Sequence, residues 1–336
     1  MMPGVSEMAA LVFEGPGRMR LGRRARPGPA AGEVVVAVTA AGICGSELTS
    51  FTGDSTRRAP GRIFGHELVG RVLSAAPDVA QDIVGELVAV NPLRSCGNCE
   101  QCVSGRPNVC PRRILLGLHV DGGFAEEVAV SVGYVRRLDG LDELAGALAE
   151  PLANAVHAVG LLPFAVGRRV AVFGAGAIGL CVIRVLRIAG AASVIAIDPV
   201  ESRRRLALGA GANEALTPAD AEHAGLLFDT AIDAAGLEAS RRAVVDRCPP
   251  GATVVLLGMH HAESELPINL AISKELRLQC SYAYTPRDFD AALGLLRADA
   301  LPYGDWITEY PLADGQRAFE TLVERPESAT KIVFRR

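Results

Sequence analysis

Two rhythms of hydrophobic and polar positions divide the chain. Up to about residue 150, short valine-dense runs such as Glu33-Val-Val-Val-Ala-Val-Thr39 and Glu86-Leu-Val-Ala-Val90 alternate with proline and glycine clusters like Pro27-Gly28-Pro29. Short strands bounded by turn residues predict a β-barrel or sandwich. The basic stretch Arg18 to Arg26, interrupted by Met, Leu, Gly and Ala, reads as a strand edge. From about residue 168 the rhythm becomes apolar strand, glycine turn, helix-length segment and strand again. The runs Val170–Gly174, Ser193–Asp198, Leu227–Asp233, Ala252–Gly258 and Leu276–Tyr284 predict a parallel sheet of βαβ units. A helix follows over Pro286–Ala298, and a last strand over Lys331–Phe334. No internal repeat or low-complexity segment breaks either half.

Composition narrows the classes. The 336 residues are 49% hydrophobic and 21% charged, with 34 basic against 38 acidic side chains and a net charge of −4. That length suits about two globular domains. A mildly acidic chain without a Lys/Arg tract has no electrostatic footprint for nucleic acid or an anionic membrane. The uncharged run Val170–Ile183 spans fourteen residues, short of the ~20 a bilayer helix needs. Met1–Ala10 lacks the basic and apolar regions of a secretory signal, and residues 1–7 read as a short extension ahead of Met8. A cytoplasmic protein is expected, with its eight cysteines reduced and available as ligands or core residues.

Four of those cysteines, Cys96, Cys99, Cys102 and Cys110, follow C-x2-C-x2-C-x7-C. Two-residue spacers let successive thiolates fold around one ion, and four sulfurs suit a closed tetrahedral zinc site of the structural kind. An iron–sulfur site is the alternative, since Pro111 follows the last cysteine, although the ferredoxin pattern reaches its fourth ligand after three residues instead of seven. Further on, the strand Val170–Phe173 runs into G-x-G-x-x-G at Gly174, Gly176 and Gly179, with Ile178 in the turn. Such glycines permit a tight turn and close approach of backbone to a pyrophosphate at a helix N-terminus. Asp198 closes the next strand 19 residues after Gly179 (198 − 179), near the ~20 expected for the acid that binds the adenosine ribose. A carboxylate there favours NAD over NADP; Arg203 to Arg205 read first as a solvated helix face, with the alternative that they line the adenine pocket and blunt that preference.

Gly42-Ile-Cys-Gly-Ser46, Gly65-His-Glu67 and Ala149-Glu-Pro-Leu152 each place a metal-ligating side chain beside a glycine or proline. With the cysteine quartet, the GxGxxG turn, Asp121-Gly-Gly-Phe-Ala-Glu126 and the terminal Lys331-Ile-Val, in this order, the whole chain resembles the zinc-dependent medium-chain dehydrogenases, the alcohol, polyol and threonine dehydrogenase family. The resemblance implies an α/β plus β architecture. A GroES-like β-rich catalytic domain would occupy residues 1–152, with a zinc lobe at about 91–113. A Rossmann domain, a doubly wound parallel sheet, would take 153–284, and 285–336 would return to the catalytic domain. It implies two zinc ions per chain. Cys44, His66 and Glu150 look like the catalytic ligands with Glu67 beside the metal and able to exchange, and Cys96, Cys99, Cys102 and Cys110 match the structural ones.

Ser46 sits where the family has the hydroxyl that takes the alcohol proton. Two residues depart from the family's C-G-[ST]-D-x-H. Glu47 replaces the usual Asp that orients the zinc histidine, which requires room for one more methylene. Thr49 replaces a histidine and cannot act as a titrating base, so the pH–rate profile should lack that limb. His119 could face the substrate or be a loop histidine, and His157 reads as a helix residue. His223, His260, His261, Cys181, Cys248 and Cys280 receive no role, the three cysteines being assigned to the core. The expected activity is hydride transfer from a secondary alcohol, namely a polyol, sugar-derived or amino alcohol, to NAD, giving a ketone. The alternatives are an aldehyde or primary-alcohol enzyme of the same family, or a non-catalytic zinc and dinucleotide binder. The partners expected are a small alcohol or ketone and further copies of the chain in a homodimer or homotetramer, without nucleic acid or membrane.

Overall fold

A computed structural model describes residues 6–225, 228–261 and 263–336. The chain divides into two compact units: residues 1–150 with Ile307–Arg325 and Lys331–Arg336, and Pro151–Trp306 with Pro326–Thr330. The second unit thus keeps the helix Pro286–Arg297, and the chain returns to the first at Ile307 instead of at 285.

The first unit is built on a seven-stranded sheet. Its central strand Glu33–Gly42 pairs antiparallel with Glu67–Ala75 along one edge. Along the other edge its first half pairs with Glu127–Ser131 and its last residues with Lys331–Arg335. Val34, Val35, Val36 and Val38 are all buried, so both faces of this strand are covered and the valine run needs no polar alternation. The hairpin of Glu7–Gly15 with Arg18–Ala25 is a sheet of its own, tied to the rest of the unit by the Leu11 N–H on the Phe124 carbonyl at 2.8 Å, and Arg18 and Arg20 of its second strand pair with Glu14. Phe64, Phe124, Phe319 and Phe334 form an aromatic cluster, with Phe124 edge-on to Phe334 at 4.9 Å.

The second unit carries six parallel strands. Numbered in chain order from Arg169–Phe173, they lie in the order 3-2-1-4-5-6. Three of the five strands expected from the apolar runs begin and end within two residues of the expected bounds, Arg169–Phe173, Ser193–Ile197 and Thr253–Leu256, and the one expected over Leu227–Asp233 is a strand over Thr230–Asp233. Leu227, the expected start of the third, lies outside the described residues, as do Met1–Val5. The short strand Glu214–Leu216 was not anticipated. The run Leu276–Tyr284 is a strand only over Arg277–Cys280, and the φ of 49° at Ala283 keeps extended backbone from running on to Tyr284. That strand lies on the sheet's edge, and Cys280 is exposed there, not in the core as expected; Cys181 and Cys248 are buried. Among the described residues no helix is long and apolar enough to cross a membrane.

Candidate active site

Three strand ends converge at one end of the first unit's sheet. Gly42 ends one strand opposite Glu67, which begins the next, so Cys44 and His66 become neighbours although 22 positions separate them in sequence (66 − 44). The C-terminal strand enters on the opposite flank of Gly42, where Ile43 N–H donates to Ile332 at 2.9 Å, and delivers Lys331. The ligand atoms of Cys44, His66 and Glu67 lie within 4.8 Å of one another, close to the span of two bonds of about 2.1–2.3 Å to a shared ion. Thiolate, imidazole and carboxylate together are a donor set that zinc accepts.

Glu47, fully buried, resolves its own departure from the family pattern. Its Oε1 accepts the His66 Nδ1 hydrogen at 2.9 Å and the Gly65 N–H at 2.8 Å, and its Oε2 accepts the Cys44 N–H at 3.1 Å. The extra methylene is taken up because Glu47 lies at the third position of the helix Gly45–Thr52, where a long carboxylate reaches back to the first amide. A carboxylate only accepts, so Nδ1 carries the hydrogen and Nε2 is left as a lone-pair donor. Gly65 is required here: its φ is +99°, and a Cβ would meet the Phe124 backbone at 2.6 Å.

The site's field is negative. Burial opposes a charge on His66, yet the Glu47 carboxylate and Cys44 thiolate hold its pKa well above the ordinary value. Burial likewise opposes the Lys331 ammonium, and Glu67, Cys44 and Glu150 outweigh it and raise its pKa. A pocket that pulls protons onto two buried bases also favours a dication, which would take the place of the second proton at His66 Nε2 and so agrees with the donor set. Lys331 itself pairs with Glu67 and donates to the Ile43 carbonyl at 2.9 Å. Gly42 leaves the room, since a Cβ there would lie 2.2 Å from Glu67 Oε2. Lys331 was legible in the sequence only as part of a terminal motif, without a role. Glu150 is buried and close enough to act on Lys331, but lies outside the set of donors within 4.8 Å.

Ser46, the first turn's hydroxyl, donates to Cys44 Sγ at 3.4 Å. Arg58, which sequence reading passed over, is 5% exposed and donates to Ser46 Oγ at 3.2 Å and to the Ser46 carbonyl at 2.6 Å. Thr49 Oγ1 donates to that same carbonyl at 3.1 Å, the behaviour of a helix threonine and not of a proton acceptor.

The quartet forms a separate group. Four of its sulfur–sulfur separations are 3.5, 3.5, 3.7 and 3.9 Å. Four thiolates at 2.3 Å from one zinc would be about 3.8 Å apart, whereas a polynuclear cluster would have to hold its thiolates farther apart. The sulfurs therefore fit a single ion. Arg112 donates to Cys96 Sγ at 3.2 Å. The Cys96 thiol is pushed down to about 6, first by the Asn98 backbone N–H and also by Cys110, so a thiolate is available at neutral pH.

In the second unit the glycines of the GxGxxG turn differ in purpose. A Cβ on Gly174 would meet Ala235 N at 2.9 Å, and one on Gly179 would meet the Gly174 carbonyl oxygen at 1.9 Å. Gly176 has nothing within 4 Å. It caps the helix Ala177–Ile188, which holds Ile178 and offers no side-chain cap. Two glycines thus serve packing, and the third keeps a helix N-terminus open to an anion. Asp198 accepts the Ala175 N–H and the Val200 N–H, both at 2.8 Å, which fixes it beside the turn with lone pairs remaining. Arg204, not Arg203, braces it by donating to the Asp198 and Pro199 carbonyls at 2.9 and 2.7 Å. Arg203 is half-buried, and its Nε has no hydrogen-bond partner. His157 lies in the helix Ala149–Gly160, with its Nδ1 on Asp288 at 2.9 Å. His223, His260 and His261 join neither metal-type group found among the described residues.

Residues 30–139 match the family model of the alcohol dehydrogenase GroES-like domain, and residues 177–298 that of the zinc-binding dehydrogenase. The chain is 31% identical over 325 residues to L-galactonate-5-dehydrogenase of Escherichia coli K12, covering 94% of this chain and 95% of that one. It is 30% identical over 322 residues to the same organism's L-idonate 5-dehydrogenase (NAD(P)(+)), covering 89% and 91%. A crystal structure of a short chain alcohol dehydrogenase from E. coli CFT073, complexed with NADH, superposes with a TM-score of 0.91 at 28% identity, covering 98% of this chain and all of that one.

Proposed function

Because the chain belongs to the zinc-dependent medium-chain dehydrogenase/reductase family and is an NAD(P)-dependent zinc alcohol dehydrogenase, we propose that it oxidises a secondary alcohol of the polyol, sugar-derived or amino alcohol class to a ketone, with NAD preferred. The observation that carries this reading is the convergence of half-buried Cys44 with buried His66 and Glu67, His66 being oriented by Glu47. Cys44 and His66 hold the catalytic zinc with a carboxylate from Glu67 or Glu150, and the Cys96, Cys99, Cys102 and Cys110 lobe holds a second, structural zinc. Zinc when bound supplies a Lewis acid that lowers the pKa of an alcohol, and the nicotinamide supplies the hydride acceptor.

The chain's own residues supply the rest. Glu47 fixes the His66 tautomer, and Ser46 accepts the alcohol proton, its oxygen held by Arg58. With Thr49 bonded to the backbone, the proton leaves Ser46 through water. Gly176 and the helix it caps take the pyrophosphate, Asp198 the adenosine ribose hydroxyls, and Arg203 flanks the adenine. Relatives named for galactonate and idonate support the sugar-derived class. Eight free cysteines support a reducing, cytoplasmic setting. The exposed edge strand Arg277–Cys280, with Ile268 and Ile272 exposed on the adjacent helix, supports a homo-oligomer, which sedimentation would count.

The test is NADH formation by zinc-replete protein across polyols, sugar acids, sugar phosphates, amino alcohols and simple alcohols, with NADP in parallel. Turnover confined to secondary alcohols of one class, faster with NAD, is expected. Turnover of primary alcohols or aldehydes alone would overturn the substrate reading, and a preference for NADP would overturn the role given to Asp198.

A further inference from the structure

Two stretches of the first unit, residues 55–66 and 111–120, hold five arginines and no aspartate or glutamate, in a chain whose net charge is −4. The fold lays them side by side. Gly122 N–H donates to the Ile63 carbonyl at 2.9 Å, and Arg58 Nε donates to the Gly117 carbonyl at 3.0 Å. Arg62 reaches Asp121 at 3.0 Å. Arg112 turns away to Cys96 and Asn98, Arg113 is held by the Cys110 carbonyl at 3.1 Å, and the charges that act on His119 are those of Arg113, Arg57, Arg58 and Arg62.

The patch is joined to the candidate active site by one side chain. Arg58 is buried, stacks over Phe64 at 5.2 Å, and spans from the Gly117 carbonyl to Ser46 Oγ, itself 3.4 Å from Cys44 Sγ. On the open side lie Arg57 and His119, both exposed, and the half-buried Arg113. His119 Nδ1 accepts the Leu115 N–H at 2.8 Å, so the neutral ring carries its hydrogen on Nε2 and presents a donor. Burial and then Arg113, Arg57, Arg58 and Arg62 hold the His119 pKa below its ordinary value. Both causes favour the neutral ring, the form in which Nε2 donates.

The geometry points to an anion-reading patch: the alcohol substrate carries a carboxylate or phosphate that Arg57, Arg113 and His119 Nε2–H engage, while Arg58 is a positioning residue that ties Ser46 to the same frame. Guanidinium forks match the paired oxygens of either group, and a positive patch on an acidic chain selects anions over neutral polyols at the encounter. This rests on the dehydrogenase reading of the Cys44, His66 and Glu67 site.

The experiment uses matched sets with the zinc-replete full chain and NAD: galactitol, galactonate and galactitol 1-phosphate, then xylitol, xylonate and xylitol 5-phosphate. An anionic member should exceed its neutral partner in kcat/KM by roughly tenfold or more, and the advantage should shrink as KCl is raised. The acid and phosphate arms tell which anion is read. The double variant R57Q/R113Q should lower the anionic-to-neutral ratio roughly tenfold through KM and not kcat, with R57K alone retaining part of the advantage. A second readout is binding of the same anions to the protein–NADH complex, followed by NADH fluorescence, which the double variant should weaken at unchanged zinc content. Neutral polyols turned over as well as their anionic partners would overturn the patch and leave the dehydrogenase standing. A loss that falls on NADH affinity in place of the alcohol KM would assign the arginines to the cofactor and overturn it too. Anion binding that the double variant does not weaken does the same even if no alcohol is oxidised. Failure of every alcohol with both cofactors, in protein that binds neither NADH nor NADPH, would overturn the dehydrogenase reading itself.

Discussion

The two cysteine-bearing sites of the first unit are built on opposite plans. The quartet draws four identical donors from fifteen consecutive residues, 96–110, and three of the four are only half-buried. The Cys44 site draws unlike donors from separate strand ends and surrounds them with buried charge: Glu47, His66, Glu67 and Lys331 are each no more than 3% exposed. A closed set of like donors serves to hold a loop together. A mixed set inside a charged, hydrogen-bonded shell is costly to bury and is justified only by chemistry. The difference predicts that damage to the first plan shows in stability, and damage to the second in turnover.

The sharpest break of that contrast is Cys44→Ser. Losing several kcal/mol of Lewis-acid assistance should cut turnover by roughly 10³-fold or more, with far-UV circular dichroism unchanged and one zinc per chain lost by elemental analysis. Retained turnover would remove Cys44 from the chemistry. Next comes Lys331→Met, which strands the Glu67 carboxylate in the interior and should cost about 3–5 kcal/mol in urea unfolding. Because the Lys331 pKa is raised in the folded protein, the pair's contribution is complete at neutral pH and is lost only as pH rises through the raised value. A change below ~1 kcal/mol would mean that another group balances Glu67.

Glu47→Gln should cost about 10–100-fold in zinc affinity or activity, because the His66 ring loses its charged anchor. Glu47→Asp then asks whether the longer side chain is needed by this backbone. An activity equal to the parent's would show that the extra methylene is incidental. The smallest effect on turnover belongs to Cys99→Ser. It should strip the lobe's metal and lower the thermal midpoint while kcat at the intact Cys44 site stays within about tenfold. A collapse of kcat matching that of Cys44→Ser would erase the distinction between the sites.

Much of this was legible in one dimension because the signals are local. The quartet's spacing, the glycines of the turn and the β-strand rhythm before them each lie within a few residues, where backbone geometry couples neighbours directly. The parallel sheet followed from alternation alone, although its edge did not: Cys280 reads as core by its apolar company, and only strand order puts it at the margin. Glu47 was visible as an oddity, and its effect depended on where one helix turn pointed a carboxylate. Lys331 and Arg58 carried no local signal. One acts 264 residues from its partner Glu67 and the other 12 residues from Ser46.

The sequence by itself determined the fold class, the family and which residue types could bind metal and dinucleotide, since these rest on periodicity and short spacings. The tertiary structure alone decided which donors stand together, which charge neutralises Glu67, and that arginines about fifty positions apart form one surface. Coulombic and hydrogen-bond energies depend on distance in space, and strand pairing sets that distance without regard to separation along the chain.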